Sequence, residues 1–132
     1  MRKPLASRLV LDASALLAVL NVEPGAHVVA AVLAEAVVSA VNLSEVIAKL
    51  ADGGASETAI RAAVARLSVE VVAFDAEQAY AAGLLSPATR FLGLSLGDRV
   101  CLSLARRLGV PAMTADRAWG ELNLGIEVQL VR

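Results

Sequence analysis

Short apolar runs alternate with stretches of helical length along the chain, and this alternation constrains the fold more than any other feature of the sequence. Five runs are rich in Val, Leu or Ile and have the length of buried strands; they cover residues 8–12, 37–41, 69–74, 110–114 and 126–131. Strands that alternate with helices assemble into a parallel sheet with helices on both faces. The sequence therefore predicts an α/β fold whose right-handed crossovers place the carboxyl ends of the strands along one edge.

Cap residues, glycines and prolines mark the helices between these strands. We predict helices over residues 14–20 and 26–36, from Asn42 to Gly53-Gly54, from the cap Ser56 to about Leu67, from the cap Asp75 to Ser86-Pro87, and over residues 95–108. We take Ser14 as the cap of the first helix, and Gln78 as the residue that completes a capping box with Asp75. Helix 95–108 is the best marked, because Ser95 caps its start, arginines fill its last turn and a glycine follows it.

Length and composition indicate one globular domain over residues 1–132. Hydrophobic residues make up 58% of the chain, which is incompatible with disorder, and the single cysteine, Cys101, gives no reason to expect an oxidising compartment. Asp12 interrupts the apolar run that follows the opening Met-Arg-Lys-Pro, and no uncharged stretch is long enough to cross a membrane. We therefore expect a cytoplasmic protein with no membrane association.

The net charge of −1 is not that of a typical nucleic-acid binder, but the charges are unevenly distributed. Residues 90–117 carry five arginines against two aspartates, a local net charge of +3. Such a segment is able to attract an anionic substrate without a basic total, although taken alone it is better explained as a solvated helix face.

Four acidic residues fall where a parallel α/β sheet builds its sites. Asp12 ends the first predicted strand, Glu45 follows the second, Asp98 begins the helix that leads into the fourth, and Asp116 follows the fourth. Ligands of such folds bind at the carboxyl ends of the strands, near the point where the strand order reverses. We therefore expect these four carboxylates to lie close together.

Each acid also has an ordinary structural explanation. Asn42 and Glu45 have the spacing of a capping box, Ser95 and Asp98 resemble another, and Asp12 and Asp116 are each able to cap a following turn. Taken together, however, four carboxylates at one edge repel one another, and a hard cation such as Mg²⁺ removes that penalty. Such an ion is able to activate water and to stabilise the charge of a phosphodiester leaving group.

Other site chemistries find less support in the sequence. The lone His27 has no His or Cys partner, so a zinc site is not expected. Cys101 lies among apolar residues of a predicted helix and is more typical of a core residue than of a nucleophile. Neither glycine-rich nucleotide-binding motif is present.

These residues, in this order, resemble the PIN-domain ribonucleases, and among them the VapC toxins of bacterial toxin–antitoxin pairs. The resemblance covers almost the whole chain. It is carried by Leu9-Val-Leu-Asp12-Ala-Ser14-Ala-Leu16, by Asn42-Leu-Ser-Glu45-Val46, by Leu94-Ser-Leu-Gly-Asp98-Arg-Val-Cys101-Leu-Ser-Leu-Ala105, and by Pro111-Ala-Met-Thr114-Ala-Asp116-Arg117-Ala-Trp119. It implies a three-layer α/β/α sandwich with a central parallel sheet of four to five strands.

The resemblance also implies a site and a function. The acids that match the family's metal ligands are Asp12, Glu45, Asp98 and Asp116, and the supporting hydroxyls are those of Ser14 and Thr114. They would bind Mg²⁺ or Mn²⁺ and position a water for hydrolysis of RNA, and arginines such as Arg99 or Arg117 would steer the phosphate. The implied partners are an RNA substrate, a small VapB-like antitoxin and a second copy of the chain.

Two other functions stay open. One is a PIN-domain nuclease of RNA processing without an antitoxin, and the other is an interaction module that keeps the fold without catalysis. The resemblance and the apolar N-terminal half together suggest an antitoxin groove. Its lining would come from any side chains that do not face the sheet among Leu16, Leu17, Leu20, Val28, Val29, Val32 and Leu33.

Overall fold

Five short strands pair in parallel at the centre of a computed structural model that describes residues 8–132. They are β1 (Leu9–Leu11), β2 (Ala36–Ser39), β3 (Glu70–Val72), β4 (Ala112–Thr114) and β5 (Val128–Leu130). Their order in the sheet is β3-β2-β1-β4-β5. The charged opening segment, residues 1–4, lies outside the described residues. The predicted α/β fold with a parallel sheet is confirmed.

Helices connect the strands and cover both faces of the sheet. They are α1 (Ala13–Leu20), α2 (Ala26–Ala30), α3 (Ala40–Asp52), α4 (Glu57–Leu67), α5 (Ala76–Gly83), α6 (Ser86–Thr89) and α7 (Leu96–Leu108). Within the described part of the chain, three 3₁₀ turns add to them at Leu33–Glu35, Arg90–Leu92 and Arg117–Glu121. None of the helices within residues 8–132 has the length and apolar character needed to traverse a lipid bilayer.

Alternation of side chains along the strands divides the core into two layers. Leu9 and Leu11 of β1 pack with α1, α2, α3 and α4, whereas Val10 between them packs with α7 and the buried Trp119 on the opposite face. Successive residues of a strand point to opposite faces, so the buried apolar residues of these strands are divided between the two cores. This arrangement is the three-layer α/β/α sandwich that the resemblance implies.

The strand order places a switch point beside β1. From β1 the chain moves outward to β2 and β3, then returns to the other side of β1 to form β4 and β5. Val10 pairs with Val37 of β2 on one side and with Ala112 of β4 on the other. The connections therefore diverge above the carboxyl ends of β1 and β4, which is where sheets of this type bind ligands.

Several predicted boundaries are wrong by a few residues. The predicted helix over residues 26–36 ends at Ala30, because a 3₁₀ turn and then β2 take up its last third. The predicted strand over residues 37–41 ends at Ser39, whose hydroxyl accepts from the Val41 amide and starts α3. As a result Asn42 lies inside the first turn of α3 and does not cap it.

One predicted cap and one predicted capping box are also wrong. Asp12, and not Ser14, is the cap of α1, because its carboxylate accepts from the Ala15 amide. Asp75 caps α5 as predicted, but the Gln78 side chain donates to the Ala73 carbonyl and so does not complete the box.

The seven side chains suggested as the lining of an apolar groove in the N-terminal half contribute to the core. They are buried or half-buried, and all of them pack in the core layer of α1, α2, α3 and α4. They lie there because α1 packs on the sheet and α2 packs against α1.

Candidate active site

Asp12 lies at the switch point, directly after β1, and only 4% of it is exposed. Its carboxylate accepts three hydrogen bonds: 2.5 Å from the Thr114 hydroxyl, 2.7 Å from the Ser14 hydroxyl and 2.9 Å from the Ala15 amide. Burial nevertheless raises its pKa from 3.8 to about 6; the three donors lower the pKa, and the nearby charge of Asp98 raises it further. Asp12 is therefore held rigidly in a place where its negative charge is poorly compensated.

Ser14 and Thr114 link Asp12 to the segment that follows β4. Their hydroxyl oxygens are 3.3 Å apart. Ser14 Oγ accepts from the Ala115 amide at 2.9 Å, and Thr114 Oγ1 accepts from the Asp116 amide at 3.0 Å. The two hydroxyls thus couple the start of α1 to the loop that carries Asp116.

Asp116 is exposed and serves as the cap of the 3₁₀ turn that follows it. Its carboxylate accepts from the Ala118 amide at 3.0 Å, as the sequence suggested. This bond uses one carboxylate oxygen and orients the side chain at the mouth of the site.

Glu45 projects from α3 toward the first turn of α7. The Asn42 amide donates to Glu45 Oε1 at 3.0 Å, and a methyl group at Gly97 would overlap the Glu45 carboxylate. Partial burial raises the pKa of Glu45; the Asn42 hydrogen bond lowers it, and the charge of Asp98 raises it.

Asp98 combines the two roles that the sequence left open. It completes a capping box, in which Asp98 Oδ2 accepts from the Ser95 amide at 2.9 Å while its own amide donates to Ser95 Oγ at 3.2 Å. The same side chain also lines the cavity that Asp12 and Glu45 line.

One cavity of about 240 Å³ brings the four acids together. Its lining consists of Asp12, Ala13, Ser14, Leu17, Glu45, Lys49, Asp98 and Asp116. Thr114 is fully buried and contacts Asp12 without lining the cavity. Within residues 8–132, no three side chains of Asp, Glu, His or Cys lie close enough together to form a metal site as they stand. The carboxylates therefore surround an open site, with room left for water and for a substrate.

Arginines of the basic segment do not supply the positive charge of this cavity. Arg99 donates to the Ala82 carbonyl of α5 at 3.1 Å, and Arg117 donates to the Arg132 carbonyl at 3.2 Å. Neither lines the cavity. Lys49 does, one helical turn after Glu45.

Sequence reasoning assigned no functional role to Lys49 or Asn42. Lys49 has the signal of an i, i+4 spacing from Glu45 on a helix, which was available in the sequence. Asn42 was interpreted as a cap because the start of α3 was placed three residues too late.

A second cavity has a different character. It measures about 570 Å³ and lies between α3 and α4, where its lining is mainly apolar. Its two charged residues, Glu57 and Arg61, form an ion pair at 2.8 Å. It shares no residue with the acidic cavity.

Cys101 is a core residue, as predicted. It is fully buried, and burial together with the nearby carboxylates of the site raises the pKa of its thiol. The neutral thiol is a poor nucleophile, so Cys101 takes no part in the chemistry of the cavity.

Comparison with solved structures shows the same fold in several proteins. A DNA-bound VapBC from Salmonella typhimurium superposes with a TM-score of 0.74 at 18% identity, over 95% of this chain and 98% of that one. VapBC2 from Rickettsia felis, bound to a promoter DNA fragment, gives 0.72 at 17% identity, over 92% and 96%. VapC20 from Mycobacterium tuberculosis, a sarcin-ricin loop cleaving toxin, gives 0.70 at 21% identity, over 85% and 92%.

Comparison of sequences identifies the family. No curated protein sequence is significantly similar to the chain. The family model of the PIN domain, however, matches residues 9–123. This match spans β1, β4 and all four acids of the cavity. The chain belongs to the PIN-domain family.

Proposed function

We propose that this protein is a Mg²⁺-dependent endoribonuclease and the toxin of a toxin–antitoxin pair. The observation that carries the proposal is the convergence of four carboxylates on one cavity at the switch point of a PIN-domain sheet. We further propose that residues 1–132 form a single PIN domain and that it acts in the cytoplasm.

The donor set of the cavity suits a hard divalent cation. Its ligands are carboxylate oxygens, which Mg²⁺ and Mn²⁺ prefer, and no thiolate or imidazole lines the cavity. Mg²⁺ usually binds through one or two carboxylates and retains several waters, so an open arrangement fits it better than a closed cage. A cation would also stabilise the ionised forms of Asp12 and Glu45, whose pKa values are raised mainly by burial and further by the charge of Asp98. Asp12, Glu45, Asp98 and Asp116 are the residues that would hold it.

Residues around the acids would orient the metal ligands and bind the substrate. Ser14 and Thr114 orient the Asp12 carboxylate through their hydroxyl donors. Lys49 supplies a positive charge to the cavity and would bind a phosphate of the substrate. When bound, Mg²⁺ would supply activation of water and stabilisation of the charge that develops on the phosphodiester.

An RNA substrate and an antitoxin partner are supported by the structural relatives. VapC20 is a toxin that cleaves the sarcin-ricin loop, and the Salmonella and Rickettsia structures are VapBC toxin–antitoxin complexes. By analogy we propose an RNA substrate, a small VapB-like antitoxin and a homodimer for this chain.

A cleavage assay tests the enzymatic part of the proposal. Purified protein should cut a susceptible RNA in Mg²⁺ or Mn²⁺ and should stop when EDTA is added. Glu45→Gln should fold normally and lose cleavage. Cleavage that continues undiminished in EDTA would refute the metal-dependent mechanism.

A further inference from the structure

We infer that Asn42 is a positioning residue, which holds the Glu45 carboxylate against the first turn of α7 so that Glu45 faces the acidic cavity. This inference rests on the proposed function, because Glu45 is there a ligand of the divalent cation. It adds to that function two residues outside the set of four acids, Asn42 and Gly97.

The hydrogen bonds of Asn42 have a single chemically sensible arrangement. The side chain is 1% exposed, and Nδ2 donates both to Glu45 Oε1 and to the Gly97 carbonyl, each at 3.0 Å. Both partners are acceptors only. The amide must therefore point its nitrogen at them, since a flipped side chain would set oxygen against oxygen.

This arrangement leaves the side-chain acceptor of Asn42 without a hydrogen bond. Oδ1 is buried and has no hydrogen-bond partner among the described residues. A buried acceptor without a partner is unfavourable, and an apolar side chain of similar size would avoid that cost. What an apolar side chain lacks is the pair of N–H donors, and one of these makes a charge-assisted bond to the Glu45 carboxylate.

Gly97 provides the surface against which Glu45 is held. It lies in the first turn of α7, is buried, and has no side chain to separate the helix from Glu45. A methyl group built there would overlap both carboxylate oxygens of Glu45. The absence of a side chain at position 97 and the amide of Asn42 therefore act on the same carboxylate from two sides.

A purely structural link between α3 and α7 would explain only part of this geometry. The bond from Asn42 to the Gly97 carbonyl joins the two helices by itself. The second N–H is directed to Glu45, whose side chain also lines the cavity with Asp98 and Lys49. The two bonds together place Glu45 relative to the first turn of α7, where Asp98 is fixed by its capping box.

Binding of Mn²⁺ to the metal-free protein tests the inference without reliance on activity. Titration followed by electron paramagnetic resonance would compare the wild type with Asn42→Leu, Gly97→Ala and Glu45→Gln. Gln78→Leu is a matched control, because Gln78 is also a buried amide that donates to a backbone carbonyl and has an unpartnered oxygen, but it lies away from the cavity.

Loss of an indirect supporting contact typically weakens metal binding by about 10- to 100-fold. We expect a loss of about this size for Asn42→Leu and for Gly97→Ala, and Mn²⁺ affinity within about twofold of the wild type for Gln78→Leu. Gly97→Ala should keep or raise the unfolding temperature, because alanine favours a helix more than glycine does. It therefore tests the inference even if Asn42→Leu does not fold.

The titration distinguishes a failure of this inference from a failure of the proposed metal site. If Glu45→Gln weakens Mn²⁺ binding while Gly97→Ala and a folded Asn42→Leu bind as tightly as the wild type, Asn42 and Gly97 do not position Glu45 and the inference is overturned. If the wild type and Glu45→Gln bind Mn²⁺ equally weakly, the proposed metal site itself is wrong and the inference falls with it.

Discussion

Asp12 is an acid of the cavity whose ionised form is strongly disfavoured by burial. It is nearly inaccessible, accepts three hydrogen bonds and lies near the charge of Asp98. A side chain kept only as a helix cap would be exposed and readily solvated, as Asp75 is at the start of α5. The raised pKa of Asp12 fits its proposed role as a ligand of a divalent cation.

The pKa of Asp12 predicts how the stability of the metal-free protein depends on pH. Its pKa is 3.8 in the unfolded chain and about 6 in the folded protein, so the folded state binds the proton more tightly between these values. The free energy of unfolding should therefore fall as the pH rises from about 4 to about 6, by up to about 3 kcal/mol from this group.

Denaturant titrations of the wild type and Asp12→Asn in EDTA check this. Asp12→Asn should match the wild type near pH 4 and be more stable at pH 7, because it removes the buried charge and keeps an acceptor for the Ala15 amide. Equal stability of the two proteins at both pH values would show that the Asp12 charge is not poorly compensated in the folded protein.

Lys49 is expected to bind substrate phosphate, whereas Arg99 is expected to be structural. Lys49→Met should raise the KM for RNA and reduce the dependence of log KM on log salt by about 0.7, the value for one phosphate contact on single-stranded nucleic acid. Arg99→Met removes the bond to the Ala82 carbonyl and should lower stability without changing that slope. Steady-state kinetics at several salt concentrations separate the two; identical slopes for wild type and Lys49→Met would remove Lys49 from substrate binding.

At the residue scale, the sequence predicts the four acids better than their amide and cationic neighbours. Asp12 and Asp116 follow from their positions after strands, and Glu45 and Asp98 from helices that begin at the same edge of the sheet. The role of Asn42 does not follow, because its two hydrogen bonds depend on how α3 docks on α7. The basic segment predicted cations near the site, but Arg99 turns toward α5 instead.

Among the elements, α7 carries both a capping box and a proposed metal ligand in its first turn. Ser95 and Asp98 form a reciprocal capping box, and Asp98 also lines the cavity. The carboxylate near the helix N-terminus is stabilised by the exposed amides there, so the two uses of Asp98 do not conflict.

Substitutions in this turn separate the two uses. Ser95→Ala should lower the free energy of unfolding by about 1 kcal/mol and leave Mn²⁺ binding intact. Asp98→Asn keeps an oxygen that is able to accept from the Ser95 amide, so stability should change little while Mn²⁺ binding and RNA cleavage are lost. Thermal unfolding and Mn²⁺ titration of both variants test this; an Asp98→Asn protein that still binds Mn²⁺ and cleaves RNA would show that Asp98 is only a cap.

Element types are predictable here, and element boundaries are less so. Buried strands and long helices follow from the spacing of apolar residues. The start of α3 is not predicted correctly because Ala40 and Val41 continue the Ala/Val-rich run of β2, while the signal that ends the strand is the single hydroxyl of Ser39. Local propensity does not distinguish a longer strand from an earlier helix, and the Ser39 cap determines where α3 begins.

For the whole molecule, the sheet order creates the site. Because the chain returns from β3 to the far side of β1, the ends of β1 and β4 lie side by side and bring Asp12 next to Thr114. The two core layers support this edge from both faces. Neighbouring strand ends could be predicted from the alternation of strands and helices, whereas the distances within the site required the structure.

The proposed antitoxin should compete with the metal. If a basic side chain of the antitoxin enters the acidic cavity, it binds the same carboxylates as Mg²⁺, and linkage requires each to weaken the other. The affinity of the cognate antitoxin should therefore fall as the Mg²⁺ concentration rises at constant ionic strength. Calorimetric titrations at several Mg²⁺ concentrations measure this. An affinity indifferent to Mg²⁺, together with undiminished nuclease activity in the complex, would place the antitoxin elsewhere on the surface.

The most direct measurement for the central claim is anomalous diffraction from crystals soaked in Mn²⁺. The account predicts a Mn²⁺ peak in the cavity at the carboxyl ends of β1 and β4, in contact with carboxylate oxygens from the set Asp12, Glu45, Asp98 and Asp116, and lost in crystals of Asp12→Asn. A peak bound only elsewhere, or an empty cavity in saturating Mn²⁺ in a protein that still cleaves RNA, would contradict it.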